Sequence, residues 1–241
     1  MVSKTSLRES VRAHRWREVE KGLTERPDLT EMSDERGRNW LHHACMSPGE
    51  DEASIRTAEV LLTAGLGLDA AAFTEGAWRA TPLWHAISRG RNLKLAEHLL
   101  KLGADPNYCL FAAVWNEDRD AIRLLLEYGA NIEEGAERGD TPLLGAVAWS
   151  KFGPAEELLK AGADPNVRNA EGATALHLML RKGSAPEHFQ LFALHGARSD
   201  IADATGLTAD TLLRRKRDPR YRAAAELMMQ ASRPPASPTG D

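Results

Sequence analysis

The stretch that decides the fold is Gly139-Asp-Thr-Pro-Leu143, followed by an apolar segment ending in Leu158-Leu159 and by Gly162-Ala-Asp-Pro-Asn166. Thr141 can cap a helix because its hydroxyl accepts a backbone N–H, and the proline after it presets the helical φ. Gly162 supplies the left-handed residue that ends a second helix, and Asp-Pro then turns the chain. The stretch therefore predicts a unit of helix, tight turn, helix and hairpin.

The same phrases recur along the chain. The closing glycines are Gly103, Gly129, Gly162 and Gly196, so the intervals are 26, 33 and 34 by subtraction of their numbers. The opening phrase recurs as Thr81-Pro-Leu83, Thr141-Pro-Leu143 and Thr174-Ala-Leu176. One such unit cannot bury its apolar face alone, whereas stacked units share a continuous core. The repeats therefore predict a stack.

This pattern resembles the ankyrin-repeat family, whose unit runs about 33 residues and carries a Thr-Pro-Leu-His-x-Ala signature. The resemblance covers roughly residues 5–230. It implies an all-α solenoid of stacked helix-turn-helix units with short β-hairpin or loop fingers, six to seven units including caps. We expect one ankyrin-repeat domain over 1–230, with caps at 5–32 and 203–230. Residues 231–241 are rich in Pro and Ser, which predicts a disordered tail.

The array departs from the family pattern in three places. Repeat one is lengthened, and its polar residues 46–52 predict a long loop between the two helices. In repeat three, Tyr108 follows Asn107 directly, which indicates that most of the hairpin finger is missing. Trp84 occupies the signature His slot of repeat two. His42 and His177 occupy that slot elsewhere, and we expect their side chains to tie adjacent repeats together by hydrogen bonds.

Composition excludes several classes of function. A net charge of −4 and a pI near 6.1 disfavour nucleic acid, because its binders neutralise many phosphates with clustered Lys and Arg. The first residues lack an apolar core of secretory length, and no run approaches the roughly 18 apolar residues that span a bilayer. Two cysteines are too few for a disulfide framework. We expect a cytoplasmic protein without a membrane partner, and the Arg- and Ala-rich composition favours a bacterial origin.

The sequence contains no motif of a known enzyme class. It lacks the Gly-x-Ser-x-Gly elbow, the phosphate loop and the dinucleotide fingerprint. His42, His43 and Cys45 do not converge on one side of a helix, so no metal is expected. We predict neither enzymatic activity nor a cofactor. The alternative is an enzyme built on the irregular loop 46–54, with Asp51 and Glu52 otherwise interpreted as solvating charge.

The tryptophans carry the most information about function. Four of them fall where the repeat geometry places fingers and the inner faces of first helices, and the ankyrin resemblance implies that partners bind there. Trp and Arg also dominate interface hot spots, and Arg suits carboxylates on a partner. The alternative is that each Trp fills an irregular gap between repeats. The predicted partner-binding residues are Arg36, Arg38, Trp78, Arg79, Trp84, Arg89, Trp115, Arg138, Trp149 and Arg181.

These observations predict a module that binds one protein through its concave groove and regulates or inhibits it. An immunity or inhibitor protein for a toxin or an enzyme is one concrete form. The alternatives are a secreted effector, a scaffold, and self-association through the basic run Arg214-Arg-Lys-Arg217. We expect the free protein to be a monomer.

Overall fold

A computed structural model of the chain describes residues 2–73, 79–135 and 139–231. The chain divides into two compact units, 1–131 and 132–241. In the described residues both units consist of helical hairpins, seven in all, within the predicted range of six to seven. Apart from Ala231, the predicted disordered tail lies outside the described residues.

The first unit contains four helical hairpins in two layers. Its first helices pack on one another in chain order, α1 on α3, α3 on α5 and α5 on α7, and its second helices pack in the same way. A 3₁₀ turn at Pro27–Leu29 follows α2, and a π-helical turn at Ala86–Gly90 follows α5. The helices are α1 (Lys4–Arg12), α2 (Trp16–Glu25), α3 (Trp40–Cys45), α4 (Asp51–Thr63), α5 (Pro82–His85), α6 (Leu93–Lys101), α7 (Cys109–Trp115) and α8 (Arg119–Glu127).

The second unit contains three helical hairpins with the same two layers. Here α9 packs on α11 and α11 on α13, while α10 packs on α12 and α12 on α14. Phe189 and Phe192 of α12 are fully buried in the core of this unit. The helices are α9 (Pro142–Ala148), α10 (Phe152–Lys160), α11 (Ala175–Lys182), α12 (Pro186–Leu194), α13 (Ala209–Arg214) and α14 (Pro219–Ala231).

The helix ends confirm the predicted role of the recurring phrases. The hydroxyl of Thr81 accepts from the backbone N–H of Trp84 at 3.2 Å, and Thr141 accepts from Leu144 at 3.4 Å. The closing glycines all have left-handed φ, between 81° and 96°. A side chain with a Cβ resists that conformation, which explains glycine at this point of each unit.

The fingers are built on a repeated turn. Asp34 Oδ1 accepts from the backbone N–H groups of residues two and four positions later, at 2.9 and 3.0 Å. Asn169 and Asp203 accept from the equivalent N–H groups in their own fingers. Successive fingers are joined by backbone bonds, from Phe73 N–H to Arg36 C=O and from Ala204 N–H to Glu171 C=O, both 3.1 Å.

The loop predicted in repeat one was too long, whereas the predicted loss of a finger in repeat three was confirmed. The loop between α3 and α4 covers only residues 46–50, because Asp51 and Glu52 form the first turn of α4. Carboxylates are favourable at that position because they face the positive end of the helix dipole. The loss of the finger in repeat three is confirmed, since Tyr108 enters α7 directly from a left-handed φ of 64°.

The signature histidines connect neighbouring repeats, as predicted. His42 Nδ1 lies 2.7 Å from Asn39 Oδ1, and its Nε2 lies 2.9 Å from the carbonyl of Ala70. His177 Nδ1 lies 2.9 Å from the hydroxyl of Thr174, and its Nε2 lies 3.1 Å from the carbonyl of Leu207. Both rings are fully buried. Each imidazole therefore fixes its own helix cap to the finger that follows.

Replacing His177 with alanine should lower the free energy of unfolding by about 2–4 kcal/mol, because buried polar groups lose their partner and a cavity forms. The change is measured by urea unfolding of the full chain. His195→Ala is the control, since that side chain is half-exposed and outside the bridge. Equal losses in the free energy of unfolding in the two variants would show that the hydrogen bonds of His177 do not contribute specifically to stability.

Candidate protein-binding site

The three predicted tryptophans within the described residues differ in exposure. Trp115 is the last residue of α7 and is 59% exposed, the highest value of any aromatic side chain described. Trp149 directly follows α9 in the second unit and is 36% exposed. Trp84 lies in α5 and is half-buried. A tryptophan left in water forfeits burial worth roughly 1.5–3 kcal/mol, so Trp115 is the position where a partner gains most.

The turn before α6 contains one extra residue. From the cap at Thr81 to the left-handed Arg91 is ten positions, whereas from Thr141 to the left-handed Ser150 is nine. The added residue is absorbed as the π-helical turn Ala86–Gly90. Such single-turn π segments are frequent at functional sites.

Asn116 holds this turn and the end of α7 together. Its side-chain amide donates to the carbonyls of Ile87 and Ser88 at 3.1 and 2.9 Å. The guanidinium of Arg91 donates back to the carbonyl of Asn116 at 3.0 Å. Because Asn116 directly follows Trp115, these bonds fix the backbone that presents the exposed indole. Sequence reasoning missed Asn116, since a single asparagine in a turn carries no distinguishing signal.

Gly90 allows the π turn to approach α3. A Cβ placed at residue 90 would lie 2.1 Å from the backbone carbonyl oxygen of Cys45, which is buried. That oxygen belongs to the helix and cannot move without displacing α3. Glycine is therefore required by close backbone packing at this position.

Trp84 covers a buried imidazole. The ring of His85 is fully buried and lies edge-on to Trp84 at 5.1 Å and to His42 at 5.5 Å between centroids. Neither ring nitrogen of His85 has a hydrogen-bond partner in the described part of the chain. Burial, with smaller contributions from His42 and Arg38, lowers the pKa of His85 to about 3. The ring is therefore neutral at physiological pH. Trp84 packs against this ring and also forms part of the protein surface.

We call the turn that begins at Asp34 the first finger. It places Arg36 and Arg38 against Phe73, with guanidinium carbons 5.5 and 5.7 Å from the ring centroid. Arg38 also pairs with Asp34 at 2.7 Å and is mostly buried. Partial burial opposes ionisation of Asp34, but the hydrogen bonds from Arg38 and the backbone outweigh it and lower the pKa of Asp34 to about 2. Arg36 remains exposed, whereas the charge of Arg38 is already compensated within the finger.

In the second unit, the arginine predicted to bind a partner forms ion pairs within the protein. Arg181 of α11 pairs with Glu171 at 2.7 Å and with Asp203 at 3.3 Å, linking two consecutive fingers. Lys182 donates to the carbonyl of Ala148, beside Trp149. The Lys182 contact joins the end of α11 to the turn that carries Trp149.

The remaining predicted residues are scattered. Arg89 is exposed on the π turn and Arg79 is half-exposed before α5. Trp78 and Arg138 lie outside the described residues. Within the first unit, Arg89 and Trp115 lie on two turns that Asn116 joins, and the first finger holds Arg36 and Arg38.

A separate cleft of about 670 Å³ lies between α2 and α4 in the first unit. Its walls combine Leu23 and Val60 with the charged side chains of Glu20, Arg56 and Glu59. Trp16 lines the same cleft, and Arg17 lies over its ring at 4.3 Å. No residue predicted to bind a partner lines this cleft, which belongs to the layer of second helices.

The described residues include no group of three or more His, Cys, Asp or Glu side chains that could hold a metal ion. Within that same part of the chain, no helix has the length and apolar character needed to cross a membrane. Cys45 and Cys109 are both buried, and burial raises the pKa of the Cys45 thiol far above its usual range. Neither cysteine is therefore poised as a nucleophile.

The stacked hairpins, Thr-Pro caps and bridging histidines define an all-α helical-repeat fold of the ankyrin type. Residues 83–169 match the family model described as ankyrin repeats (3 copies). Residues 83–169 therefore carry ankyrin repeats, and ankyrin-repeat domains are protein-interaction modules. The chain is 42% identical over 85 residues to human 2-5A-dependent ribonuclease and 31% identical over 115 residues to mouse Ankyrin repeat and SOCS box protein 11. These matches cover 35% and 44% of the chain but only 12% and 34% of those proteins.

Solved structures show the same fold. The ankyrin-repeat domain of human ASB11 superposes with a TM-score of 0.70 at 22% identity, over 95% of this chain and 99% of that one. The ankyrin-repeat domain of Bcl-3 gives 0.75 at 21% identity, over 91% and 97%. A domain from Acinetobacter baumannii gives 0.61 at 24% identity, over 79% and 96%. At these identities the likeness establishes the fold alone.

Proposed function

We propose that this chain binds one protein partner through the exposed ends of its first helices and thereby regulates or inhibits that partner. The observation that carries the proposal is Trp115, which is 59% exposed and stands on a backbone fixed by Asn116. A rigid, exposed aromatic supplies contact area at little entropic cost, as interface hot spots do. Arg89 on the neighbouring turn adds a cation to the same unit.

The proposal includes the remaining predicted surface. Trp149 in the second unit is a further exposed aromatic at the end of a first helix. In the first unit, the fingers contribute Arg36 and Arg79 to the proposed surface. The free protein is proposed to be a cytoplasmic monomer. Inhibition of a toxin or an enzyme is the specific form of regulation we propose, with delivery as a secreted effector or scaffolding as the alternatives.

The described geometry gives little support to an enzyme built on the loop after α3. His43 is 3% exposed and its pKa is lowered to about 4, chiefly by burial and then by Arg12. Glu52 lies on α4 with its side chain 76% exposed. An enclosed histidine and a solvated carboxylate do not form an acid–base pair. An activity screen in which His43→Ala or Glu52→Ala abolished turnover would restore the enzymatic alternative.

We expect the wild-type chain to capture one protein from extracts of its source cells, and the Trp78/Trp115/Trp149 triple alanine variant to lose most of it. Removing Trp115 and Trp149 costs binding but little folding energy, because both side chains are exposed and neither belongs to the core. The measurement is affinity capture with quantitative mass spectrometry.

Trp16→Ala is the matched control, since Trp16 is a partly exposed tryptophan on the other helix layer. Equal recovery by the triple variant, or a loss confined to Trp16→Ala, would place the binding surface elsewhere. A captured protein encoded beside this chain would favour a dedicated inhibitor over a general scaffold.

A further inference from the structure

A cleft between α1 and the first finger is lined mainly by basic side chains. It has a volume of about 340 Å³ and opens to solvent. We call it the basic cleft. Its lining includes Lys4, Arg8, Ser33, Glu35, Arg36 and Arg38. It uses elements of the capping repeat and repeat one, whereas Trp115 belongs to repeat three.

Three cations lie along one face of α1. Lys4, Arg8 and Arg12 are four residues apart, so they share a face and span about 12 Å of helix. Arg36 adds a fourth cation from the finger. In the described part of the chain none of these four forms an ion pair. The Nε of Arg8 is buried and has no hydrogen-bond partner there.

Other arginines of the same unit are compensated within the protein. Arg15 pairs with Glu18 at 3.3 Å, Arg26 with Asp28 at 2.6 Å and Arg56 with Glu52 at 3.0 Å. The cations along α1 and Arg36 differ from these three arginines, because they have no carboxylate partner in the described residues.

The acids within the basic cleft do not neutralise it. Both carboxylate oxygens of Asp34 are occupied, one by backbone N–H groups and the other by Arg38. Glu35 is exposed to solvent. Burial chiefly lowers the pKa of His43, and Arg12, Arg38 and Arg8 lower it further, whereas Asp34 raises it.

We infer that the basic cleft binds an acidic segment of a protein partner, with its carboxylates distributed along α1 and the first finger. The inference rests on the proposed function and adds the chemistry of the partner. Four uncompensated cations on a chain of net charge −4 provide charge complementarity for carboxylates. The cations are spread along a helix and do not converge on one point, and two carboxylates lie among them, which favours spaced carboxylates over a dense phosphate chain.

The test uses a short fluorescein-labelled oligoglutamate peptide and fluorescence anisotropy with the full chain. We expect binding that weakens as ionic strength rises from roughly 0.05 to 0.3 M, as screening requires. The Arg8→Gln/Arg36→Gln variant should bind at least about fivefold more weakly, because two charge-assisted contacts are lost. Arg26→Gln/Arg56→Gln removes two charges of the same unit outside the cleft and should leave binding unchanged.

Several outcomes would overturn the inference. These are equal binding by the two double variants, no binding by the wild type, or tighter binding of a single-stranded oligonucleotide of equal charge. Lys4→Gln/Arg12→Gln provides a second pair along α1 should the first variant lose its fold, as judged by circular dichroism. Trp115→Ala should retain oligoglutamate binding, so failure of the basic cleft and failure of the aromatic surface are distinguishable.

Discussion

Lowering the pH from about 7.5 to about 5 should reduce the free energy of unfolding by about 4 kcal/mol, through two buried histidines of the first unit. The ordinary pKa of 6.5 falls to about 4 for His43 and to about 3 for His85 in the folded protein, in both cases chiefly through burial. At pH values between the folded-state pKa and the ordinary pKa of each histidine, the unfolded chain binds protons that the folded chain does not. Stability is therefore complete above pH 6.5 and decreases as the pH falls, by about 2 kcal/mol per histidine at pH 5.

Titration of Asp34 does not contribute to the change in stability between about pH 5 and about pH 7.5. Its pKa is lowered from 3.8 to about 2, so its contribution to stability is present above 3.8 and is lost only as the pH falls below that value. Burial of His14 also lowers its pKa, which adds to the effect with the same sign. The measurement is urea unfolding at both pH values, together with NMR titration of the histidine rings.

His85→Leu should remove about half of this pH dependence. It should leave stability at pH 7.5 unchanged or higher, because His85 has no hydrogen-bond partner among the described residues to lose. His195→Leu, at a half-exposed position of the second unit, is the control and should retain the wild-type dependence. A His85→Leu variant with the wild-type pH profile would contradict the role assigned to this imidazole.

Gly90→Ala should destabilise the protein by about 3 kcal/mol, as overpacking against an immovable backbone atom does. The added Cβ would meet the Cys45 carbonyl oxygen at 2.1 Å. The first unit must then separate α3 from the π turn, which also disturbs the carbonyls held by Asn116. Thermal and urea unfolding measure the loss.

Gly67→Ala is the matched control for that substitution. Gly67 also lies outside the left-handed region, but a Cβ there would meet its nearest neighbour, Ala70, at an ordinary 3.8 Å. We expect its stability to change by less than about 0.5 kcal/mol. If both alanine variants melt alike, the close approach of the π turn to α3 is not what requires glycine at 90.

Much of the fold follows from local rules that the sequence displays. Thr141 with the proline after it starts a helix by capping, and Gly162 ends one by its left-handed φ, so both act within a few residues. His42 and His177 could be assigned because their signature slot has one geometric role in each repeat. The start of α4 was misplaced because the polar residues Asp51 and Glu52 suit a loop and a first helical turn equally well.

The candidate site was less predictable because it depends on contacts between repeats. Trp84 and Trp115 are both tryptophans of first helices, yet they lie three and seven positions after their caps at Thr81 and Tyr108. That offset leaves one against His85 and the other in solvent. The pairing of Arg38 with Asp34 likewise depends on the finger turn, although their spacing of four residues was a usable signal.

The most direct test of the protein-binding claim is an affinity titration of the purified partner against Trp115→Ala, with wild type and Trp16→Ala measured alongside. The exposed position of Trp115 predicts that the melting temperature stays the same while affinity falls by about thirtyfold, the loss of roughly 2 kcal/mol typical of a hot spot. Trp16→Ala should bind as wild type does. Unchanged affinity in Trp115→Ala would contradict the assignment of the partner-binding surface to the ends of the first helices.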